Sequence, residues 1–168
     1  MRVDAFFSPC RQYRYTLHRI WSEKKPFVMF VGLNPSTADE RKNDPTVTRC
    51  IRFAGDWGYG GMVMMNIFAY RSTNPNNLYK LEDPVGEENN LYIAQIAREA
   101  GIIVTAWGNH GAYKGRGDEV LRMLTEIVPA KVHHLGLTGE GQPKHPLYLR
   151  ADEEPRLWAE VEKIASAV

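Results

Sequence analysis

The sequence predicts an α/β fold: a three-layer α/β/α domain around a central, mostly parallel four-stranded sheet, with an antiparallel edge strand on the amino-terminal side. Three observations predict it. Short apolar runs at 27–31 and 102–106 show no polar alternation, as strands covered on both faces do. Segments with apolar residues at helical spacing separate such runs. Strands that alternate with helices return parallel to one another, because each crossover helix packs back onto the sheet.

The 168 residues fit one domain, 1–168. With 43% hydrophobic and 24% charged residues, the chain can build a core without a disulfide or metal. Cys10 and Cys50 form no CxxC pair and are expected to be free thiols. No apolar run is long enough for a membrane span, and the start Met1-Arg2-Val3-Asp4 has no signal-peptide core. A cytoplasmic location and no membrane partner are therefore expected. The net charge of +1 gives no general pull toward nucleic acid, so such a partner would need a local basic face. Oligomeric state is not legible.

Residues 13–21 place Tyr13, Tyr15 and Leu17 at alternate positions and read as the edge strand. Residues 27–31 are a buried strand that stops at Gly32. Asp44-Pro45-Thr46 starts a helix, because Asp caps free N–H groups and Pro suits the first helical position. Val47, Ile51, Ala54 and Trp57 follow on one face, and Gly58 closes it. Strands are then expected at 62–69, 102–106 and 131–137. Helices are expected at 87–100 (stopped by Gly101), 118–128 and 155–167.

Parallel sheets bind ligands at the carboxyl ends of their strands. That points to the loops 32–43, 70–85, 107–117 and 138–150. The first is GLNPSTAD, followed by NDPT. Gly32 permits close backbone approach, and the Asn34 amide can donate and accept. Asp39 and Asp44 add carboxylates, with Arg49 about one turn beyond the cap. Asp44 reads first as the cap. Asn66, inside an apolar strand, must find backbone partners or face a ligand. Trp107-Gly108-Asn109-His110-Gly111 with Lys114 and Arg116 suits either a phosphate contact or a solvated loop, but it is not a P-loop. His145, between Lys144 and Pro146, has a restricted backbone. No ligand cluster has metal-site spacing, and nothing implies a cofactor. Ser36 lacks a GxSxG context, which argues against a serine hydrolase.

These motifs, in this order, resemble the uracil-DNA glycosylase superfamily. Gly32-Leu33-Asn34-Pro35-Ser36 resembles the Gly-x-Asn-Pro-Gly motif of the mismatch-specific and thymine branch. The segment from Asn66 is similar to the strand after the base-reading Asn of the thermophilic branch. His145-Pro146-Leu147 looks like the His-Pro-Ser motif of other branches. The resemblance covers about residues 27–150. GLNPSTAD, NDPT and Trp57-Gly58-Tyr59-Gly60-Gly61 more closely resemble a bacterial family of unknown function, number 1643, over nearly the whole chain.

The superfamily resemblance implies a uracil-DNA-glycosylase-like fold and a site. Asn34 would position water, Asn66 would read the edge of a flipped base, and His145 would donate to the leaving base oxygen. Gly32, Leu33, Pro35 and Ser36 would line the pocket, and Leu147 and Tyr148 match the wedge position. Trp57 or Tyr59 could supply an aromatic floor. Leu147 replaces the Ser that would grip phosphate, the thermophilic branch's cluster cysteines are absent, and Asp39, Asp44 and Arg49 have no counterpart. Arg71, Lys114, Arg116, Lys144 and Arg150 are the candidate nucleic-acid contacts. Three functions stay open: an N-glycosidic hydrolase acting on a modified base in nucleic acid, a nucleobase- or nucleotide-binding module, and a metal-assisted hydrolase using Asp39 or Asp44.

Overall fold

Apolar strands without alternation must be covered on both faces, and the fold meets that demand with helices on either side of one sheet. In this computed structural model, residues 1–158 are described. The strands are β1 (Arg2–Phe7), β2 (Arg14–Ile20), β3 (Val28–Gly32), β4 (Gly61–Asn66), β5 (Ile102–Thr105), β6 (Val132–His134) and β7 (Arg156–Leu157). The α-helices are α1 (Pro45–Asp56), α2 (Asn89–Glu99) and α3 (Arg116–Ile127), with short 3₁₀ turns between. The sheet order is β1-β2-β4-β3-β5-β6-β7. β4, β3, β5 and β6 run parallel to one another, while β2 pairs antiparallel with β4, β1 with β2, and β7 with β6.

Alternate residues of the central strands divide two cores. Val28, Phe30, Met62, Met64 and Val104 pack with Val47, Cys50, Phe53 and Ala54 of α1. Met29, Val31, Val63, Met65 and Ile103 pack with Ile93, Ile96 and Ala97 of α2 and Val120 and Leu124 of α3. Asp44 caps α1 and Pro45 opens it, as the capping rule predicts.

Three expectations change. β2 is not the edge of the sheet, because β1 pairs outside it and leaves all seven β2 residues buried. β1 escaped the reading because charged Arg2 and Asp4 and the adjacent Phe6-Phe7 pair blur its alternation. The helix expected at 155–167 is contradicted at its start, where Arg156 and Leu157 pair with His134 and His133. There the open edge of β6 competes for the chain, and Trp158 is anchored through Nε1 to Thr105 Oγ1 at 2.9 Å. The remainder of that expected helix lies outside the described residues. The strand expected at 62–69 stops at Asn66, where Asn89 and Arg116 take the carbonyls of Asn66 and Ile67.

A β-bulge bends the ladder between β1 and β2. Phe6 pairs with Thr16 but Phe7 pairs with Arg14, so Tyr15 is the extra residue. An extra residue reverses the face of those beyond it and re-aims their side chains. Tyr15 stacks on Tyr92 of α2, and Arg14 turns to the α1 side, where it reaches Ala38.

His18 lies buried on β2, edge-on to Phe6. Burial, reinforced by Arg2 and opposed by Asp4, lowers its pKa to about 4. The fold therefore favours neutral histidine. This contribution is complete above the unfolded value near 6.5 and is lost as pH falls toward 4, on the order of 2–3 kcal/mol. Urea unfolding at pH 7 and pH 4.5 should show that loss in the wild type and a smaller one in His18→Gln. An equal loss in both would sink the assignment.

Candidate functional site

Gly32 ends the central strand β3 and lies beside Asn66 at the end of β4. A Cβ at position 32 would stand 2.9 Å from Asn66 Oδ1 and 2.6 Å from Met64 Cε. The methionine tip can yield, but the short Asn66 side chain is buried and has less room to move. Glycine is therefore what lets the Asn66 side chain cross the end of β3. Asn89 Nδ2 holds the Asn66 carbonyl at 2.9 Å, and Arg116 Nε holds that of Ile67 at 2.8 Å, so the strand end is fixed from the α2 and α3 side.

The carboxyl ends of β3 and β5 open into a cleft of about 740 Å³, within the usual range for a small-molecule site. Leu33, Asn34 and Ser36 form one wall, and Asp44, Pro45 and Thr46 at the start of α1 adjoin it. Ser72, Thr73 and Pro75 close a second side, and Trp107 to His110 a third. Thr138, Lys144, His145, Leu147 and Tyr148 complete the rim. Behind it lies a recess of about 30 Å³ lined by Arg14, Gly32, Asn34, Asp44, Asn66 and His145, among others. Pro35 lines the recess but not the cleft. Asn34, Asn66 and His145 thus come together.

Asn34 Nδ2 donates to the carbonyls of Pro35 at 3.1 Å and Ser72 at 2.9 Å. Its donor half is engaged, which orients its carbonyl oxygen as the group left to accept. His145 caps the 3₁₀ turn Pro146–Tyr148, its Nδ1 accepting from the Leu147 N–H at 3.2 Å. An accepting Nδ1 places the ring proton on Nε2, which is then a donor. Burial pushes the His145 pKa below its ordinary value, with Asp44 pulling weakly the other way. Gly108, at φ 71°, donates its N–H to Pro143 at 2.7 Å and ties the loop after β5 to the His145 segment.

The other candidates separate. Asp44 Oδ1 caps the Val47 N–H at 2.9 Å, and Oδ2 accepts from Ala38 N at 3.3 Å. Asp39 is half-buried, lines neither cleft nor recess, and closes its own loop, accepting from the N–H groups of Arg41 and Lys42. Those bonds lower its pKa. Arg49 donates to the Leu149 carbonyl and lies over Phe53, which fastens the His145 segment to α1. None of the aromatic-floor candidates reaches the cleft. Trp57 stacks on Phe53 and Phe30 and donates to Glu153 O, while Tyr59 packs near Gly101 at the opposite end of the sheet. Glycine termination of α1 carries both away from the strand ends. The aromatic side chains of the cleft are instead Trp107, His110 and Tyr148.

The basic residues do not form a strip. Arg116 is buried and bonds Ile67 O, Asn90 and Glu119. Arg71 lies over Phe7, Lys114 over Tyr113, and Arg150 pairs with Asp152. Of the five, only Lys144 lines the cleft. The 107–111 loop also offers fewer free amides than a phosphate cradle needs, since the N–H groups of Gly108 and Gly111 are engaged. Among the described residues, no three His, Cys, Asp or Glu side chains are grouped to hold a metal ion. No described helix is long and apolar enough to cross a membrane.

Two groups were given no role of their own in the sequence reading. Trp107, named there only as part of a loop, backs the cleft, its Nε1 held by Gln142 at 2.9 Å. Its signal was its place at the end of β5, beside Gly108. Arg14 gave no signal, because it falls between the apolar positions Tyr13 and Tyr15 of the strand alternation.

The chain is thus a mixed α/β fold with a cleft at the carboxyl ends of its parallel strands. Residues 14–147 match the family described as protein of unknown function (DUF1643), and the chain belongs to that family. No curated protein and no solved structure gives a significant match.

Asp44 joins the first loop to α1, which predicts a measurable cost for its removal. Asp44→Ala should lose about 1–2 kcal/mol in urea unfolding, and Asp44→Asn, which can still cap, clearly less. Equal stability of Asp44→Ala and wild type would show that the cap holds nothing.

Proposed function

We propose that the cleft receives a nucleobase and that Asn34 and His145 hydrolyse the N-glycosidic bond that carries it. The observation that carries the reading is the convergence of Asn34, Asn66 and His145 on one recess. It treats the chain as a three-layer domain of the uracil-DNA glycosylase kind, with Asn66 reading the base edge.

In this reading the Asn34 carbonyl accepts from a water and aims it at the sugar carbon. The water oxygen bonds to that carbon while the carbon–nitrogen bond breaks and its electron pair passes to the base. The water's proton goes to the departing base. His145 Nε2–H donates to the base oxygen on which charge builds, a contact worth roughly 3–4 kcal/mol in comparable enzymes. Asn34 is no base, so it orients water rather than deprotonating it. Because only Lys144 of the basic candidates lines the cleft, a nucleoside or nucleotide fits better than duplex DNA. A base in DNA, the substrate of a repair glycosylase, remains an arm of the test.

A second reading, recognition without turnover, is favoured by one fact. Among the described residues, the only carboxylate lining the cleft is that of Asp44, and both of its oxygens accept backbone N–H groups.

The test is chromatographic detection of base release from free nucleosides and from single- and double-stranded oligonucleotides carrying modified bases. Asn34→Ala and His145→Ala should each slow release about 10²–10³-fold. Release that survives both substitutions would overturn the mechanism. Binding without release would select the second reading. The rate should hold steady through the ordinary histidine range near pH 6.5 and drop only below it, since protonated His145 could no longer accept from Leu147. A drop centred in that range would contradict a lowered pKa.

A further inference from the structure

We propose that the recess behind the cleft is an oxyanion subsite whose charge is supplied by Arg14. Five buried side-chain atoms lack a hydrogen-bond partner among the described residues: Arg14 Nε, Thr16 Oγ1, Arg49 Nε, Asn66 Nδ2 and Asn89 Oδ1. Of the residues that carry them, only Arg14 and Asn66 line the recess. Each is 2% exposed, and each leaves a donor unmatched. Buried polar groups normally find partners, so two orphaned donors beside one small cavity point to a partner that a ligand brings.

The sign of that partner follows from the charges. Arg14 donates once, from Nη1 to the Ala38 carbonyl at 3.2 Å, and forms no ion pair among the described residues. The carboxylate of Asp44 lines the same recess, but one of its oxygens accepts the N–H of Val47 at the start of α1 and the other that of Ala38 in the loop after β3. The helix dipole there offsets much of that carboxylate. Arg14 and Asn66 thus leave unmatched donors beside a recess whose carboxylate, Asp44, already has both oxygens engaged. Its volume of about 30 Å³ matches one oxygen, not a phosphate group.

Other buried arginines show what a purely structural role looks like. Arg19 makes five hydrogen bonds, to Asn43, Asp4, His18, Asp39 and Lys42. The bulge at Tyr15 instead turns the Arg14 side chain to the opposite face of the sheet, beside the recess. The subsite thus selects ligands that present an oxygen with full or developing negative charge. Resting on the nucleobase reading, that oxygen is the ring carbonyl oxygen onto which the leaving base's electron pair spreads. Exocyclic amino groups, being donors, are disfavoured there.

The first test needs no variant and no assumption about function. Formate, and formamide as its neutral counterpart, are titrated into the wild-type protein while the Arg14 Nε–H and Asn66 side-chain resonances are followed by NMR. Saturable shifts with formate alone are expected. No shift, or equal shifts with both, overturns the subsite. The second test compares barbiturate, anionic at neutral pH, with neutral uracil by calorimetry. The wild type should prefer barbiturate by about tenfold, the difference between a charge-assisted and a neutral hydrogen bond. Arg14→Gln should lose the preference and Arg14→Lys should keep part of it. Uracil and barbiturate binding equally would overturn the proposal and leave the nucleobase reading standing. Failure of both bases to bind, with formate still shifting Arg14, would overturn the nucleobase reading and leave the oxyanion subsite.

Discussion

Asp44 holds the site together through two hydrogen bonds that act on different parts of the chain. One oxygen caps α1 at Val47, and the other takes the N–H of Ala38 in the loop after β3. The Ala38 carbonyl then accepts from Arg14 on β2. Strand, loop and helix are thereby fixed around one small space. A capping residue is worth about 1 kcal/mol to a helix. Its larger effect here is geometric, because the same carboxylate sets the distance between the positive end of α1 and the buried guanidinium.

The arginines show how one residue type serves different physical ends. Arg19 and Arg116 satisfy backbone carbonyls and side-chain acceptors at several points and pin loops to the sheet. Arg49 clamps the carbonyl of Leu149, so the His145 segment is carried by α1. Arg14 is buried as deeply, yet one of its donors has no partner. Burying an incompletely matched charge costs several kcal/mol, a cost that structural packing alone does not repay. A bound anionic oxygen would offset it.

Much of the site could be read from the chain in order. Gly32 after a buried run, Asp44-Pro45 before a helical pattern and Asn66 in an apolar strand each carry a local signal. Such signals are legible because strand and helix periods and caps are local properties. The aromatic floor was misplaced because Trp57 and Tyr59 were near in motif but far in space, at the other end of the sheet. That the basic candidates do not line up beside the cleft was not legible for a similar reason. Exposure of Arg116 depends on α2 and the end of β4, which no local pattern reports.

By itself the sequence determined the alternation of strands and helices, the cap at Asp44, and the loops where the parallel strands end. These follow from hydrophobic period and turn chemistry, which act over a few residues. The tertiary structure alone decided that β1 covers β2, that Arg156 and Leu157 join the sheet, and that a bulge turns Arg14 inward. Strand neighbours are chosen by long-range pairing, and a one-residue slip in that pairing reverses the face of a side chain. Arg14, which falls between the apolar positions of that alternation, is thus the buried charge beside the recess.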